Sequence, residues 1–275
     1  MKKTKSLLLS TPYLVWMVVF TLIPLGVVAY YALTDPATGA FSLGNVKSLG
    51  MYLPVLWKSI GYSLVSAFIC LLLGYPVAYY IAHRSPTAQK FLYMLVMLPM
   101  CMSFLLRTLA WVGLLQDTGI INTLLSKLGL PRLTLIRTPG AVVLGMVYNY
   151  LPYMILPLYG VIVKIDPRLI EAAEDLGCTP VQVFHKVVFP LSLPGIISGC
   201  VLVFTMSMTS YVTPKLLGGS KFRMMATMVV QEINVNFDWG AASAISYILL
   251  AVILLVQVVV VLCTSGYMKR MGGGK

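Results

Sequence analysis

Apolar and polar residues in this chain are arranged in long blocks, with no residue-by-residue alternation. Six blocks, at 13–33, 59–81, 91–115, 139–163, 191–213 and 243–266, are almost free of charge. Each exceeds about 20 residues, the length at which a helix crosses a hydrocarbon core roughly 30 Å thick. Backbone N–H and C=O groups in hydrocarbon must pair within their own segment, so each block is expected to be helical. The pattern therefore predicts an all-α, polytopic membrane protein with six transmembrane helices. It forms one domain over residues 1–275, with its core at about 57–266. The first block reads as a span and not as a cleaved signal, because it is too long and no Ala-x-Ala site follows it.

One polar interval stands apart. Residues 166–190, within a loop at 164–190, hold Asp166, Glu171, Glu174 and Asp175, half of the chain's eight carboxylates. Asp166-Pro167 is a helix start, a side-chain acceptor followed by a proline whose missing N–H is not needed there. Gly177 stands where that helix would end, in a position suited to left-handed backbone. Thr179-Pro180-Val181-Gln182 restarts a helix with a capping box, and Pro190 is expected to close it. The interval reads as a rigid knob of two short helices joined at a glycine elbow.

Within the spans, polar residues gather in the fourth and fifth. Asn149 and Tyr153 are four apart and share a helix face. Ser207 shares a face with Ser210 and with Tyr211. These five are candidates for a water-accessible path, since polar groups in hydrocarbon must face protein or water. Interhelical hydrogen bonding is the alternative for any single one of them. Pro152 and Pro157 would loosen the fourth helix. Arg107, in the outer half of the third span, reads as structural, snorkelling outward or pinning the outer loops. Gly195-x-x-x-Gly199 permits close approach of another helix, from this chain or from a partner.

Composition agrees with the block pattern: mean hydropathy is +0.90, and 59% of residues are hydrophobic against 10% charged. With the N-terminus inside, the inner segments carry 11 Lys and Arg in 57 residues and the outer loops 8 in 77. The terminal flanks, Lys2, Lys3 and Lys5 with Lys269, Arg270 and Lys275, decide the orientation, with both termini and the 164–190 loop cytoplasmic. The net charge of +12 then serves contact with anionic lipid. Basic residues scattered over both sides offer no nucleic-acid face. The five cysteines lie far apart with no CxxC pair, so no disulfide framework or metal site is indicated, and no cofactor is expected. There is no GxxxxGK[ST], HExxH or GxSxG motif. All eight carboxylates fall in loops, whereas an ion-coupled transporter would place an acid at mid-membrane depth.

The knob also carries a family resemblance. Glu171-Ala172-Ala173, three residues, Gly177, nine residues, then Val187-x-Phe189-Pro190 resembles the Glu-Ala-Ala loop of binding-protein-dependent ABC import permeases, with Val187 in place of Ile and Phe189 in place of Leu. LLLGYPVAYYIA (71–82), LLRTLAWVGLL (105–115), YNYLPYMILPLYG (148–160) and PKLLGG (214–219) are similar to the spermidine/putrescine branch of that family. The resemblance implies a MetI-like permease fold in the bacterial cytoplasmic (inner) membrane. It implies a transport subunit and not an enzyme, moving a small polar or cationic solute. The implied partners are two ABC ATPase subunits, a second permease of different sequence and an external substrate-binding protein. It makes 164–190 the ATPase-coupling loop, with Glu171, Ala172, Ala173 and Gly177 as its key positions; Glu171 would touch the ATPase, and the two alanines would let the helix enter a cleft. The spans offer no carboxylate as counter-charge for a polyamine, a departure that tyrosine faces or the second permease would have to cover. A secondary transporter or channel is the alternative reading, and an intramembrane enzyme a third. Neither has the intramembrane acid, the internal repeat or the catalytic pair it would require.

Overall fold

The computed structural model describes residues 11–272 apart from Leu14, 35–39, Leu43 and 220–221. Among the described residues the backbone is helical, with a single isolated bridge between Thr34 and Phe41. Six helical segments are long and apolar enough to cross a membrane: Thr11–Leu33, Leu49–Ala82, Phe104–Lys127, Pro139–Ile162, Pro180–Met208 and Trp239–Thr264. In chain order the α-helices are α1 (Ile23–Leu33), the short α2 (Gly44–Lys47), α3 (Leu53–Ala82), α4 (Pro86–Met97), α5 (Phe104–Leu115), α6 (Ile120–Lys127) and α7 (Pro139–Ile162). They continue with α8 (Pro167–Asp175), α9 (Pro180–Val183), α10 (Phe189–Met208), α11 (Val212–Leu217), α12 (Met225–Gln231) and α13 (Trp239–Gly272).

Helices α3, α7 and α10 pack on one another at the centre, and α13 packs across α1 and α12. The residues of α3 explain its place. Ser59, Ser63, Ser66, Ala67, Cys70, Gly74, Ala78 and Ile81 recur at helical spacing and are buried, while Leu64, Phe68, Leu72 and Leu73 point outward. Lipid tails are as apolar as leucine, so small residues turn inward where backbones can approach closely. The glycine pair follows the same logic. A Cβ on Gly199 would stand 2.6 Å from the Met154 sulfur, and one on Gly195 would stand 3.0 Å from the Pro157 carbonyl oxygen. The helix that Gly195 and Gly199 accept is therefore α7 of this same chain.

Three boundaries differ from the sequence reading. The third span is not one helix over 91–115: α4 ends, a 3₁₀ turn occupies Leu98–Cys101, and Met102 (φ −87°, ψ 148°) leads into α5. Pro99 has no N–H and cannot sit inside a continuing α-helix without a clash, so the chain steps out and restarts. The fifth span runs helically only to Met208, and Thr209–Tyr211 form a break before α11. Pro190 does not close a helix. α9, a π turn at Phe184–Val188 and α10 form one continuous helix, with Pro190 in the first turn of α10. Within the π turn the Phe189 N–H donates to the Phe184 carbonyl. This shifts the hydrogen-bond ladder where Pro190 has no donor to supply.

Candidate functional site

The break after α10 and the break before α5 face each other across a cavity of about 470 Å³. Arg107 from α5, Asn149, Tyr150 and Tyr153 from α7, and Ser210 and Tyr211 from the Thr209–Tyr211 break line it, with Met100 and Met102 from the interrupted third span. Asn149 is almost wholly buried; its amide donates to Thr108 Oγ1 at 3.3 Å, and Thr108 donates to the Phe104 carbonyl at 3.0 Å. The Phe104 ring stacks at 6.4 Å on Tyr150. The walls thus offer hydroxyls, one carboxamide, aromatic faces and one guanidinium, and no carboxylate. Four of the five path candidates, Asn149, Tyr153, Ser210 and Tyr211, come together here. Ser207 does not line the cavity: it is fully buried in the packing of α10.

Arg107 departs from the sequence reading. It neither snorkels outward nor pins a loop; it is 7% exposed, lines the cavity, and its Nε and Nη1 have no hydrogen-bond partner. Ser59 and Ser66 of α3 make interhelical contacts. The Ser59 hydroxyl accepts from the Met225 N–H at 2.9 Å, and Ser66 contacts the Met146 sulfur at 3.5 Å. Phe104, Tyr150, Thr209, Val212 and the methionines Met100, Met102 and Met206 line the cavity without having been among the five path candidates. The motif Leu98-Pro99, read as a helix interruption, would have signalled Met100 and Met102.

At the other end of α7 and α10 stands the knob. Asp166 caps α8 by accepting from the Arg168 N–H at 3.0 Å. Gly177 has φ +80°, and the Cys178 N–H returns to the Ala173 carbonyl at 3.1 Å. Thr179 and Gln182 make the reciprocal capping box of α9. On α8, Glu171, Ala172 and Glu174 are exposed, and Ala173 is half-buried. Leu169, Ala172 and Leu176 form an outward apolar stripe at i, i+3, i+7 spacing, continued by Val181. Leu169 is 49% exposed, Leu176 86% and Val181 66%. The knob is anchored to the bundle by rings: Phe184 meets Tyr75 at 5.6 Å and Tyr79 at 5.9 Å, while the Tyr75 and Ser192 hydroxyls lie 2.9 Å apart.

Comparison with known proteins fits this geometry to a family. The profile of the binding-protein-dependent transport system inner membrane component family matches residues 71–267, which contain both the cavity and the knob. The chain belongs to this family. It is a multi-pass inner-membrane permease subunit of an ABC importer. The permease is 37% identical over 240 residues to the spermidine/putrescine transport system permease protein PotB of Haemophilus influenzae, covering 84% of each chain. It is 35% identical to PotB of Escherichia coli K12, over 88% of this chain and 92% of that one. In fold it matches a subunit of a bacterial alginate ABC transporter, with a TM-score of 0.75 at 18% identity over 98% of this chain and 96% of that one. It also matches the MetNI methionine transporter, with a TM-score of 0.62 at 15% identity over 80% of this chain and 98% of that one.

Proposed function

We propose that this permease supplies one half of the translocation path of a polyamine importer of the spermidine/putrescine type. The cavity is the path's segment in this chain, lined by Asn149, Tyr153, Ser210 and Tyr211 with Tyr150. The 164–190 loop, on the cytoplasmic side with both termini, docks one of two ATPase subunits through Glu171, Ala172, Ala173 and the apolar stripe. Gly177 holds the elbow that shapes this surface. The chain lacks a phosphate loop of its own, so the energy comes from those ATPases. A second permease of different sequence completes the path, and an external binding protein delivers the cargo.

One observation carries this reading. A single helix, Pro180–Met208, joins the exposed knob to the cavity wall. At 1.5 Å per residue it spans roughly 40 Å, enough to carry a displacement from one membrane face to the site of the cargo. Ring faces of Tyr150, Tyr153 and Tyr211 attract ammonium groups by roughly 0.5–2 kcal/mol each. Weak binding suits a path that must also release its cargo, with specificity left to the binding protein. The test is ATP hydrolysis by the reconstituted complex against a panel of loaded binding proteins. Stimulation by the spermidine- or putrescine-loaded protein is expected; stimulation only by a protein carrying another cargo would overturn the polyamine assignment.

A further inference from the structure

Arg107 is the one charge in the cavity lining, and no carboxylate among the described residues pairs with it. A buried charge is costly unless paired and hydrogen-bonded. Two of its three nitrogens have no hydrogen-bond partner. The Phe104 ring centroid lies 6.0 Å from the Arg107 Cζ, at the outer limit for a cation–π contact. The cavity lining holds no carboxylate. The buried Glu232 is engaged elsewhere: Tyr52 donates to its Oε1 at 3.2 Å and Asn236 to its Oε2 at 2.7 Å. Beside Arg107, the Asn149 Oδ1 is also buried with no partner. The cavity therefore presents unpartnered guanidinium donors and a bare acceptor to whatever fills it.

We propose that in the assembled transporter Arg107 receives a carboxylate from the second permease, an Asp or Glu placed opposite it across the cavity. The proposal rests on the function proposed above. A polyamine carries no anionic group, so the cargo cannot neutralise Arg107, and a polycation would be repelled by a bare guanidinium. The cavity's rim is open on this chain alone: Met102 is 53% exposed and Tyr211 42%. A carboxylate entering from that side would meet an unpartnered guanidinium, the group that pairs most strongly with a carboxylate. Its oxygens carry about four lone-pair sites between them, so after pairing with Arg107 it can still accept from a passing ammonium group alongside Asn149. The missing counter-charge of the path is then held in place by a cation of this chain. Arg107 acts through that acid and is a positioning residue.

The experiment uses the complete complex of both permeases, ATPases and binding protein, in proteoliposomes. Arg107→Glu is combined one at a time with acid-to-Arg changes at each Asp and Glu in the second permease's membrane segments. Apposed like charges are strongly unfavourable, so Arg107→Glu alone is expected to lower spermidine uptake at least about 30-fold, and one reversed pair is expected to restore at least about tenfold. Arg107→Lys should retain more uptake than Arg107→Met. In parallel, Arg107→Cys is paired with a cysteine at each acid, and the disulfide is read on gels of the assembled complex. That readout needs no cargo and stands even if a charge variant fails to assemble. A disulfide at the acid whose reversal rescues uptake supports the proposal. Wild-type uptake by Arg107→Met, no disulfide at any acid, or a loss confined to cargo bearing its own carboxylate would each overturn it. Failure of the wild-type complex to take up polyamine would instead refute the cargo assignment and leave the disulfide readout to judge the pair.

Discussion

Leu176 is 86% exposed at the end of a charged helix, where water should favour a polar residue. Together with Leu169 and Ala172 it fits the face of a helix that lies in another protein's groove. Leu176→Asp is therefore expected to leave the isolated permease as stable as before while weakening ATPase retention at least about tenfold, some 1.4 kcal/mol. Pull-down of the ATPase by membrane-extracted permease measures it, and unchanged retention would contradict the docking surface. Gly177 adds a conformational argument. Its φ is +80° and a Cβ added there would meet nothing within 4 Å, so crowding is absent and only backbone strain opposes substitution. Gly177→Val should cost more than about 1 kcal/mol locally and reduce uptake with normal membrane insertion. Uptake at the wild-type rate would show that the elbow tolerates rearrangement. Both residues lie in a stretch whose caps were legible in the sequence, since Asp166, Gly177 and Thr179 act over three or four neighbours. The outward stripe is harder to read there, because charged residues separate its members along the chain.

At the scale of elements, the sequence specified spans better than it specified breaks. Block length and apolarity decide where a helix crosses a bilayer, and all six crossings are present. What happens at Pro99 and Pro190 depends on neighbours: one proline breaks its helix, and the other rides on a π turn braced by Tyr75, Tyr79 and Phe184. Proline alone does not distinguish these outcomes. The glycine pair in α10 is similar, since spacing showed a close approach and only packing showed that α7 makes it. Gly199→Leu would drive a side chain into Met154 and should cost about 1–3 kcal/mol, with some shift of α10 from α7. Thermal unfolding in detergent, read by loss of the monodisperse peak, is expected to move to lower temperature for Gly199→Leu. The reference is Gly61→Leu, on α3, where nothing lies within 4 Å. Equal midpoints would mean that the α7–α10 seam is loosely packed.

The whole molecule puts an exposed knob bearing an apolar stripe at one end and a polar cavity toward the other, with one helix joining them. Asn149 and Tyr153 were legible from helical spacing in the fourth span, whereas Ser210 and Tyr211 reach the cavity from the break after Met208. Ser207 was misplaced because the helix ends at Met208, and the pitch that would have turned Ser207 and Ser210 to one face is lost at the break. Cysteine scanning in a background lacking the five native cysteines should separate them. Asn149→Cys, Tyr153→Cys, Ser210→Cys and Tyr211→Cys are expected to react with a membrane-impermeant thiol reagent, and Ser207→Cys is expected to stay unlabelled. The decisive form of that measurement follows Ser210→Cys in the complete complex, comparing labelling rates without nucleotide and with ATP trapped on the ATPases. Alternating access driven from the knob requires the two rates to differ, by at least about fivefold in this account, and Leu176→Asp should abolish the difference. Equal rates in both states, with the ATPases bound and active, would contradict it.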